Sequence, residues 1–134
     1  MNRKKQGDIG VAVAIAYYTL NGYSVSTPLS DSQRYDLITD KDNKLKRIQV
    51  KTTSQVNTSN IYTVELSTQG GNQSWGYSIK YITQDEADEI FVYCLNGEIY
   101  VLPIDLVVGV RRLRLSENYN LYKAVLDIGE FKRL

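Results

Sequence analysis

Three polar side chains in the first half of the chain have types and spacing that suit a metal ion and a phosphate. Asp36 lies in the run RYDLIT, and a polar KDN turn separates it from KLKRIQVKTT, which contains Gln49 and Lys51. Side chains alternate between the faces of a strand, so Gln49 and Lys51 share one face. If the two runs pair, oxygens of Asp36, Gln49 and the Val50 main chain can meet one hard cation. Lys51 can then contact a phosphate beside that cation.

The same residues also have an ordinary structural explanation. A half-exposed hairpin needs polar side chains on its solvent face, and a Gln-x-Lys triplet on a strand is usually part of such a face. A single Asp is common at turns and strand edges. The catalytic hypothesis therefore depends on the three side chains converging in space.

The composition narrows the chemistry that is available. The chain has no histidine, which excludes histidine triads and the usual zinc sites that combine histidine with cysteine. Hydrolysis would have to use carboxylates, lysine, amides and a divalent cation bound through oxygen. The net charge is only +1, so nucleic-acid binding is a hypothesis here, although lysine and arginine are frequent in the N-terminal part.

Length and cysteine content set the broad class. The 134 residues fit one domain, residues 1–134, and no apolar run is long enough to cross a bilayer, so no membrane partner is expected. The single cysteine, Cys94, cannot form an internal disulfide and is typical of a reducing compartment. We therefore expect a cytoplasmic protein.

The elements that must position the polar residues can be predicted from periodicity. The alanine-rich stretch GDIGVAVAIAYYTL, residues 7–20, ends at Asn21-Gly22 and predicts a buried first helix. Alternating runs predict strands at YSVSTP, at the two runs around the KDN turn, and at IYTVELST. EIFVYC and EIYVLP flank Asn96-Gly97, which is a strong hairpin signal.

The rest of the chain is less regular. IDLVVG predicts a short helical turn, and the tail from Val110 onward is the candidate cover for the far face of the sheet. Trp75 lies in the loop-like stretch QGGNQSWGYS, where it is equally suited to a core contact or a ligand contact. This order of elements predicts an α/β or α+β domain around a central mixed sheet.

The arrangement resembles the PD-(D/E)XK nuclease superfamily, whose signature is an Asp at the start of one strand and (Asp/Glu)-x-Lys on the next. The corresponding pieces are Tyr35-Asp36 and Gln49-Val50-Lys51. The segment KKQGDIGVAVAIAYYTLNGYSVSTPLSDSQRYDLI is similar to the opening of archaeal-type Holliday-junction resolvases and, more closely, of group I intron-associated homing endonucleases. The similarity covers about the first 55 residues, and ADEIFVYCLNGEIYVLPID resembles the later strand pair of that group.

The chain departs from the family pattern at three positions. Tyr35 replaces a proline, and Gln49 replaces the second acid, as it does in intron-associated members. An amide oxygen can ligate Mg²⁺ but brings no charge, so the expected metal affinity is lower than with glutamate. The helix glutamate of the resolvases falls near Val11, which cannot ligate, and Asp8, three residues earlier on the same helical face, is the candidate replacement.

The resemblance implies a restriction-endonuclease-like α/β fold, with a central mixed sheet flanked by helices. It also implies a DNA endonuclease that uses Mg²⁺, or Mn²⁺ in its place, and acts on double-stranded or branched DNA. A domain this small covers only part of a duplex, and cleavage of both strands needs two sites, so we expect a homodimer or homotetramer. The implied catalytic residues are Asp36, Gln49, Lys51 and Asp8, and the implied metal ligands are Asp36, Gln49, Val50 and Asp8. The candidate DNA-binding residues are Ser32, Gln33, Arg34, Lys4 and Lys5, although capping of the loop explains the first three equally well and a solvated terminus explains the two lysines.

Four functions stay open on the sequence. The first is a homing-type, site-specific endonuclease, which Gln49 favours, and the second is a structure-selective Holliday-junction resolvase. The third is a DNA-binding module that keeps the fold without catalysis, because Gln49 and the missing glutamate weaken the metal site. The fourth is a protein-interaction domain, which predicts no salt-dependent DNA binding.

Overall fold

The computed structural model describes residues 1–70 and 78–128, and it begins with the predicted helix. Helix α1 spans Arg3–Leu20. It begins four residues earlier than predicted, because the Asn2 side chain caps it by accepting a hydrogen bond from the Lys5 backbone N–H at 2.8 Å. It ends at Asn21, and Gly22 then adopts a positive φ of 86° that favours glycine.

The described part of the chain contains ten strands after α1. They are β1 (Ser24–Ser26), β2 (Leu37–Lys41), β3 (Lys44–Thr53), β4 (Thr63–Glu65), β5 (Thr68–Gly70), β6 (Ser78–Lys80), β7 (Glu89–Cys94), β8 (Ile99–Pro103), β9 (Arg112–Arg114) and β10 (Lys123–Ala124). Short 3₁₀ helices span Ile104–Leu106, within the predicted helical turn, and Glu117–Tyr122.

Six of these strands form the central mixed sheet. Their order is β1-β2-β3-β7-β8-β10, with β3 and β7 parallel and every other neighbouring pair antiparallel. Both predicted hairpins are confirmed. Asp42 and Asn43 have positive φ angles of 55° and 65°, which suit a tight two-residue turn between β2 and β3.

Helix α1 covers one face of this sheet. Ile48 and Val50 on β3 point toward α1 and join its core cluster, so Gln49 and Lys51 point to the opposite face. Gly10 lets the helix approach closely, since a Cβ there would collide with Oγ1 of Thr52. The position of α1 is therefore fixed directly above the strand that carries the candidate catalytic residues.

The opposite face is covered by short strands and by the tail. Strand β4 pairs with β9, and Leu113 and Leu115 are buried in the core cluster there, together with Cys94. The tail therefore covers this face, as expected, but its β10 also extends the central sheet. In the described residues α1 is the only α-helix, so the second flanking layer consists of strands and 3₁₀ helices rather than α-helices.

Two strand predictions need correction. YSVSTP forms a strand only at β1, and IYTVELST divides into β4 and the start of β5, neither of which joins the central sheet. The break has a structural cause, because the backbone N–H groups of Leu66 and Ser67 turn to the carbonyl oxygen of Arg111 at 2.8 and 3.2 Å. Trp75 lies outside the described residues. Within them, no helix has the length and apolar character that a membrane span requires.

Candidate active site

The β2–β3 hairpin brings Asp36 and Gln49 into direct contact. Asp36 immediately precedes β2, and its backbone N–H donates to the Ile48 carbonyl oxygen at 2.8 Å. Its Oδ2 accepts hydrogen bonds from the Val50 backbone N–H at 2.7 Å and from Gln49 Nε2 at 3.1 Å. The structure therefore brings Asp36 and Gln49 together at the end of the hairpin that lies away from its turn.

The main chain of Val50 offers an oxygen at the same place. In a strand the N–H and C=O groups of one residue point to the same side, and the Val50 N–H points at Asp36. The Val50 carbonyl oxygen therefore points toward the Asp36 side of β3. This is the direction that the predicted third ligand requires.

Asp36 is a partly buried carboxyl with a perturbed pKa. Burial raises its pKa above the usual aspartate value, while the Val50 N–H and the charge of Lys51 act in the opposite direction. The carboxylate is therefore costly in the free protein, and a nearby cation would favour its ionised form. A raised pKa at a site with a specific charge partner is typical of functional carboxyls.

Lys51 lies beside Asp36 and is also perturbed. Burial lowers the pKa of its ammonium group, the charge of Arg34 lowers it further, and Asp36 and Glu65 partly offset both effects. Lys51 therefore loses its proton more readily than an exposed lysine. This property suits a group that orients or deprotonates an attacking water.

The amide oxygen of Gln49 is a buried acceptor whose chemistry fits a cation. Four buried side-chain polar atoms have no hydrogen-bond partner in the described part of the chain, and Gln49 Oε1 is one of them. Such an atom costs about 1–3 kcal/mol when nothing satisfies it. Oxygen ligands suit Mg²⁺ and Mn²⁺, so Asp36, Gln49 Oε1 and the Val50 carbonyl fit a hard divalent cation. Among the described residues, no group of three or more His, Cys, Asp or Glu side chains is arranged to hold a metal ion, so such a site would need amide and main-chain oxygens beside the Asp36 carboxylate.

Arg34 lies at the edge of the same site. Its Nη1 forms an ion pair with Glu86 Oε2 at 3.2 Å, and its Nη2 is another of the four buried atoms without a partner. The guanidinium is close enough to Lys51 to lower the pKa of that lysine. Arg34, Asp36 and Lys51 therefore form one electrostatic group.

The acidic segment at residues 85–89 supports the site, a role that the sequence did not indicate. Arg47 on β3 binds both carboxylate oxygens of Asp88, through Nε at 3.2 Å and Nη2 at 3.1 Å. Arg47 also donates to the Gln84 carbonyl oxygen at 2.8 Å and to that of Asp85. These bonds fasten the turn before β7 to β3, and the turn carries Glu86 to Arg34. An arginine and a dense acidic run in the sequence were the only available signals.

The other predicted site residues are exposed and are not drawn into this group. Asp8 lies in α1, and its side chain forms no hydrogen bond or ion pair among the described residues. Lys4 and Lys5 lie in the first turn of α1, and Ser32 and Gln33 lie in the loop before β2, where Ser30 contacts both of them. Their roles in metal or DNA binding stay predictions.

The arrangement combines the parts that phosphodiester hydrolysis needs. Oxygen ligands for a cation, a lysine with a lowered pKa and an arginine with an unused donor lie at one end of the hairpin. These groups can stabilise the charge that develops on a phosphate and can position a water for attack.

Comparisons with known proteins agree with this geometry. The solved structure of a bacterial homing endonuclease, I-Ssp6803I, matches the chain with a TM-score of 0.78 and 25% sequence identity, over 87% of this chain and 80% of that one. The restriction-endonuclease-like fold is thereby confirmed. No similar sequence was found among curated proteins. A family model for PD-(D/E)XK endonucleases matches residues 1–132, so the chain belongs to the PD-(D/E)XK endonuclease family.

Proposed function

We propose that the protein is a homing-type DNA endonuclease that depends on Mg²⁺, or on Mn²⁺ in its place. The observation that carries the proposal is the unpartnered Gln49 Oε1 beside the Asp36 carboxylate. Family membership supports nuclease activity on DNA, and the similarity to a bacterial homing endonuclease supports the homing type. Gln49, in place of the family acid, also favours this type.

Each residue of the site has a separate proposed role. Asp36, Gln49 Oε1 and the Val50 carbonyl would hold the cation, and Asp8 is an additional candidate from α1. When bound, the cation stabilises the charge that develops on the phosphate and lowers the pKa of a bound water. Lys51 orients the attacking water and accepts its proton at Nζ, for which its lowered pKa is suited.

The substrate is proposed to be double-stranded DNA, contacted outside the site by Lys4, Lys5, Ser32 and Gln33. The chain carries this set of residues once, and cleavage of two strands needs two sites. A homodimer or homotetramer would place two sites on symmetric DNA. Size-exclusion chromatography with light scattering measures this state directly.

The test compares three substrates: a plasmid library with bacterial genomic inserts, a pool of linear duplexes, and a synthetic four-way junction. The variants are Asp36→Ala and Lys51→Ala, with Lys44→Ala as the control because Lys44 is exposed on the same strand near the hairpin turn. With Mg²⁺ we expect wild type and the control to cut defined duplex sites. Each site variant should be slower by about 100-fold or more.

Two other results would assign a different function. Preferential cutting of the four-way junction at many sequences would identify a resolvase, which is the second candidate. Salt-dependent DNA binding without cleavage in Mg²⁺ or Mn²⁺ would identify a non-catalytic binding module.

A further inference from the structure

Arg34 uses only part of its guanidinium in the described structure. Glu86 Oε2 accepts from Nη1 at 3.2 Å, whereas the buried Nη2 has no hydrogen-bond partner among the described residues. Arginine in a structural ion pair commonly binds both carboxylate oxygens through its planar fork. The second oxygen of Glu86 instead accepts from the hydroxyl of Thr83 at 3.3 Å. This arrangement leaves one buried cationic donor free for something else.

The free donor belongs to the active site. Arg34 lies two residues before Asp36, whose Oδ2 accepts from the Val50 N–H and from Gln49 Nε2. Its partner Glu86 lies in the turn that Arg47 and Asp88 fasten to β3, the strand that carries Gln49 and Lys51. The other unpartnered atom here, Gln49 Oε1, is an acceptor, and the two atoms do not satisfy each other. A phosphate group with a cation on one oxygen and Arg34 on another would satisfy both.

Glu86 is positioned before any ligand arrives. Its turn is closed by the Glu86 and Ala87 N–H groups donating to the Thr83 carbonyl oxygen at 3.0 and 3.3 Å, and Ala87 is fully buried. Arg47 binds Asp88, directly after this turn, through two nitrogens, and it also holds the Gln84 carbonyl oxygen. The turn that carries the Glu86 carboxylate is thus fixed to β3, the strand that carries Gln49 and Lys51.

We propose that Arg34 binds a phosphate oxygen of the DNA strand at the site beside Lys51, and that Glu86 is the positioning residue that aims its free Nη2. This inference rests on the proposed endonuclease function. It assigns Arg34 to the phosphate under attack rather than to general DNA contact. It also gives the acidic turn a role in catalysis that is indirect, through the orientation of one arginine.

The test measures DNA binding and cleavage separately, on the duplex substrate that wild type cuts, or on a generic 30-base-pair duplex if none is cut. Binding is followed by fluorescence anisotropy in Ca²⁺ over a salt series, and cleavage is followed in single turnover with Mg²⁺. The variants are Arg34→Ala, Arg34→Lys and Glu86→Gln. Glu117→Gln, an exposed acid on the distant 3₁₀ helix Glu117–Tyr122, is the control. Thermal unfolding identifies any variant that has lost its fold.

The expected results separate a phosphate ligand from a structural ion pair. Arg34→Ala should slow cleavage by about 100-fold. It should also reduce the salt slope, which is the magnitude of the slope of log K for DNA binding against log salt concentration, by about one. Arg34→Lys should keep the slope but lose about tenfold in rate, because lysine lacks the planar fork. Glu86→Gln should slow cleavage several-fold with the slope unchanged, and Glu117→Gln should match wild type.

The proposal is overturned if folded Arg34→Ala retains the wild-type salt slope. It is equally overturned if Glu86→Gln cuts at the wild-type rate while Arg34→Ala does not. If wild type cuts nothing, the endonuclease proposal fails on its own. In that case a slope reduced only in Arg34→Ala still supports Arg34 as a phosphate ligand, and an unchanged slope removes it.

Discussion

At the scale of single residues, Asp36 serves the hairpin and the proposed metal site with one carboxylate. Its Oδ2 fastens the start of β2 to β3 through the Val50 N–H. Burial raises the pKa of the carboxyl, so ionised Asp36 is unfavourable for the fold when no cation is present. Function and stability therefore make opposite demands at this position.

The first prediction follows from the direction of that pKa shift. Because the pKa of Asp36 is raised in the folded state, the protonated carboxyl stabilises the fold. This stabilisation is complete below the unfolded-state pKa of about 3.9, and it is lost as the pH rises through the folded-state pKa. Asp36→Asn keeps a neutral acceptor for the Val50 N–H at every pH. Without metal, its melting temperature should exceed that of wild type at pH 7, and the difference should shrink toward pH 3. A lower melting temperature at pH 7 would contradict this explanation.

Gln49 gives a second prediction at this scale. Its Nε2 donates to Asp36, so Gln49→Glu replaces a hydrogen bond with a second negative charge near the first. Like charges at this distance destabilise each other unless a cation lies between them. The variant should melt below wild type in chelator and gain more than wild type from added Mg²⁺. Equal melting temperatures in chelator, or an equal response to Mg²⁺, would argue against a cation between these two side chains.

At the scale of elements, β3, which carries Gln49 and Lys51, is held in place by α1 and by the turn before β7. Helix α1 lies on β3 at Gly10, and the turn before β7 is fastened to β3 through Arg47 and Asp88. The first contact sets the height of the helix above the sheet. The second sets the position of Glu86 and hence of Arg34.

The close contact between α1 and β3 predicts that replacing glycine by alanine has opposite effects on stability at Gly10 and at Gly7. Gly10→Ala introduces a Cβ that collides with Thr52 Oγ1, and overpacking of this kind costs about 1–3 kcal/mol. Gly7→Ala has no atom within 4 Å of its new Cβ, so the better helix propensity should stabilise it by up to about 1 kcal/mol. Urea unfolding measures both values. If Gly10→Ala is as stable as Gly7→Ala, the close approach of α1 to β3 is wrong.

The contact between Arg47 and Asp88 predicts that stability depends on pH in the opposite sense to that predicted for Asp36. The hydrogen bond from Arg47 lowers the pKa of Asp88, so the pair stabilises the fold above the unfolded-state pKa of about 3.9, and this contribution is lost as the pH falls through the folded-state value. Because Asp88 is partly exposed, Asp88→Asn should cost only up to about 1 kcal/mol at pH 7. The cost should disappear at low pH, whereas Asp31→Asn in an exposed loop should cost nothing at either pH. A cost for Asp88→Asn that is independent of pH would rule out the ion pair as its cause.

At the scale of the whole molecule, contacts between segments that are close in the chain could be predicted from the sequence. The β2–β3 hairpin has alternating residues and a compact turn, so Asp36 and Gln49 could be placed together although 13 residues separate them. The parallel pairing of β3 with β7 and the pairing of β4 with β9 join distant segments. Periodicity identifies a strand but not its partner, which is why IYTVELST was wrongly predicted as one continuous strand.

The supporting contacts of the site were beyond prediction for the same reason. Arg34 and Glu86 are 52 residues apart, and Arg47 and Asp88 are 41 residues apart. Each pair depends on how the turn before β7 lies against β3, which follows from tertiary packing rather than from local propensity. The contact between Asp36 and Gln49 could therefore be predicted, whereas the contacts of Arg34 with Glu86 and of Arg47 with Asp88 could not.

The most direct test of the central proposal is Mg²⁺-dependent nicking of supercoiled plasmids that carry bacterial genomic inserts. Wild type, Asp36→Asn and Lys44→Ala are assayed over a Mg²⁺ titration, and the cut ends are sequenced. We predict saturable cutting at recurring sequences by wild type and Lys44→Ala, and a rate at least about 100-fold lower for folded Asp36→Asn. Cutting by Asp36→Asn at the wild-type rate, or no cutting by wild type at any Mg²⁺ concentration, would contradict a metal-dependent site built on Asp36 and Gln49.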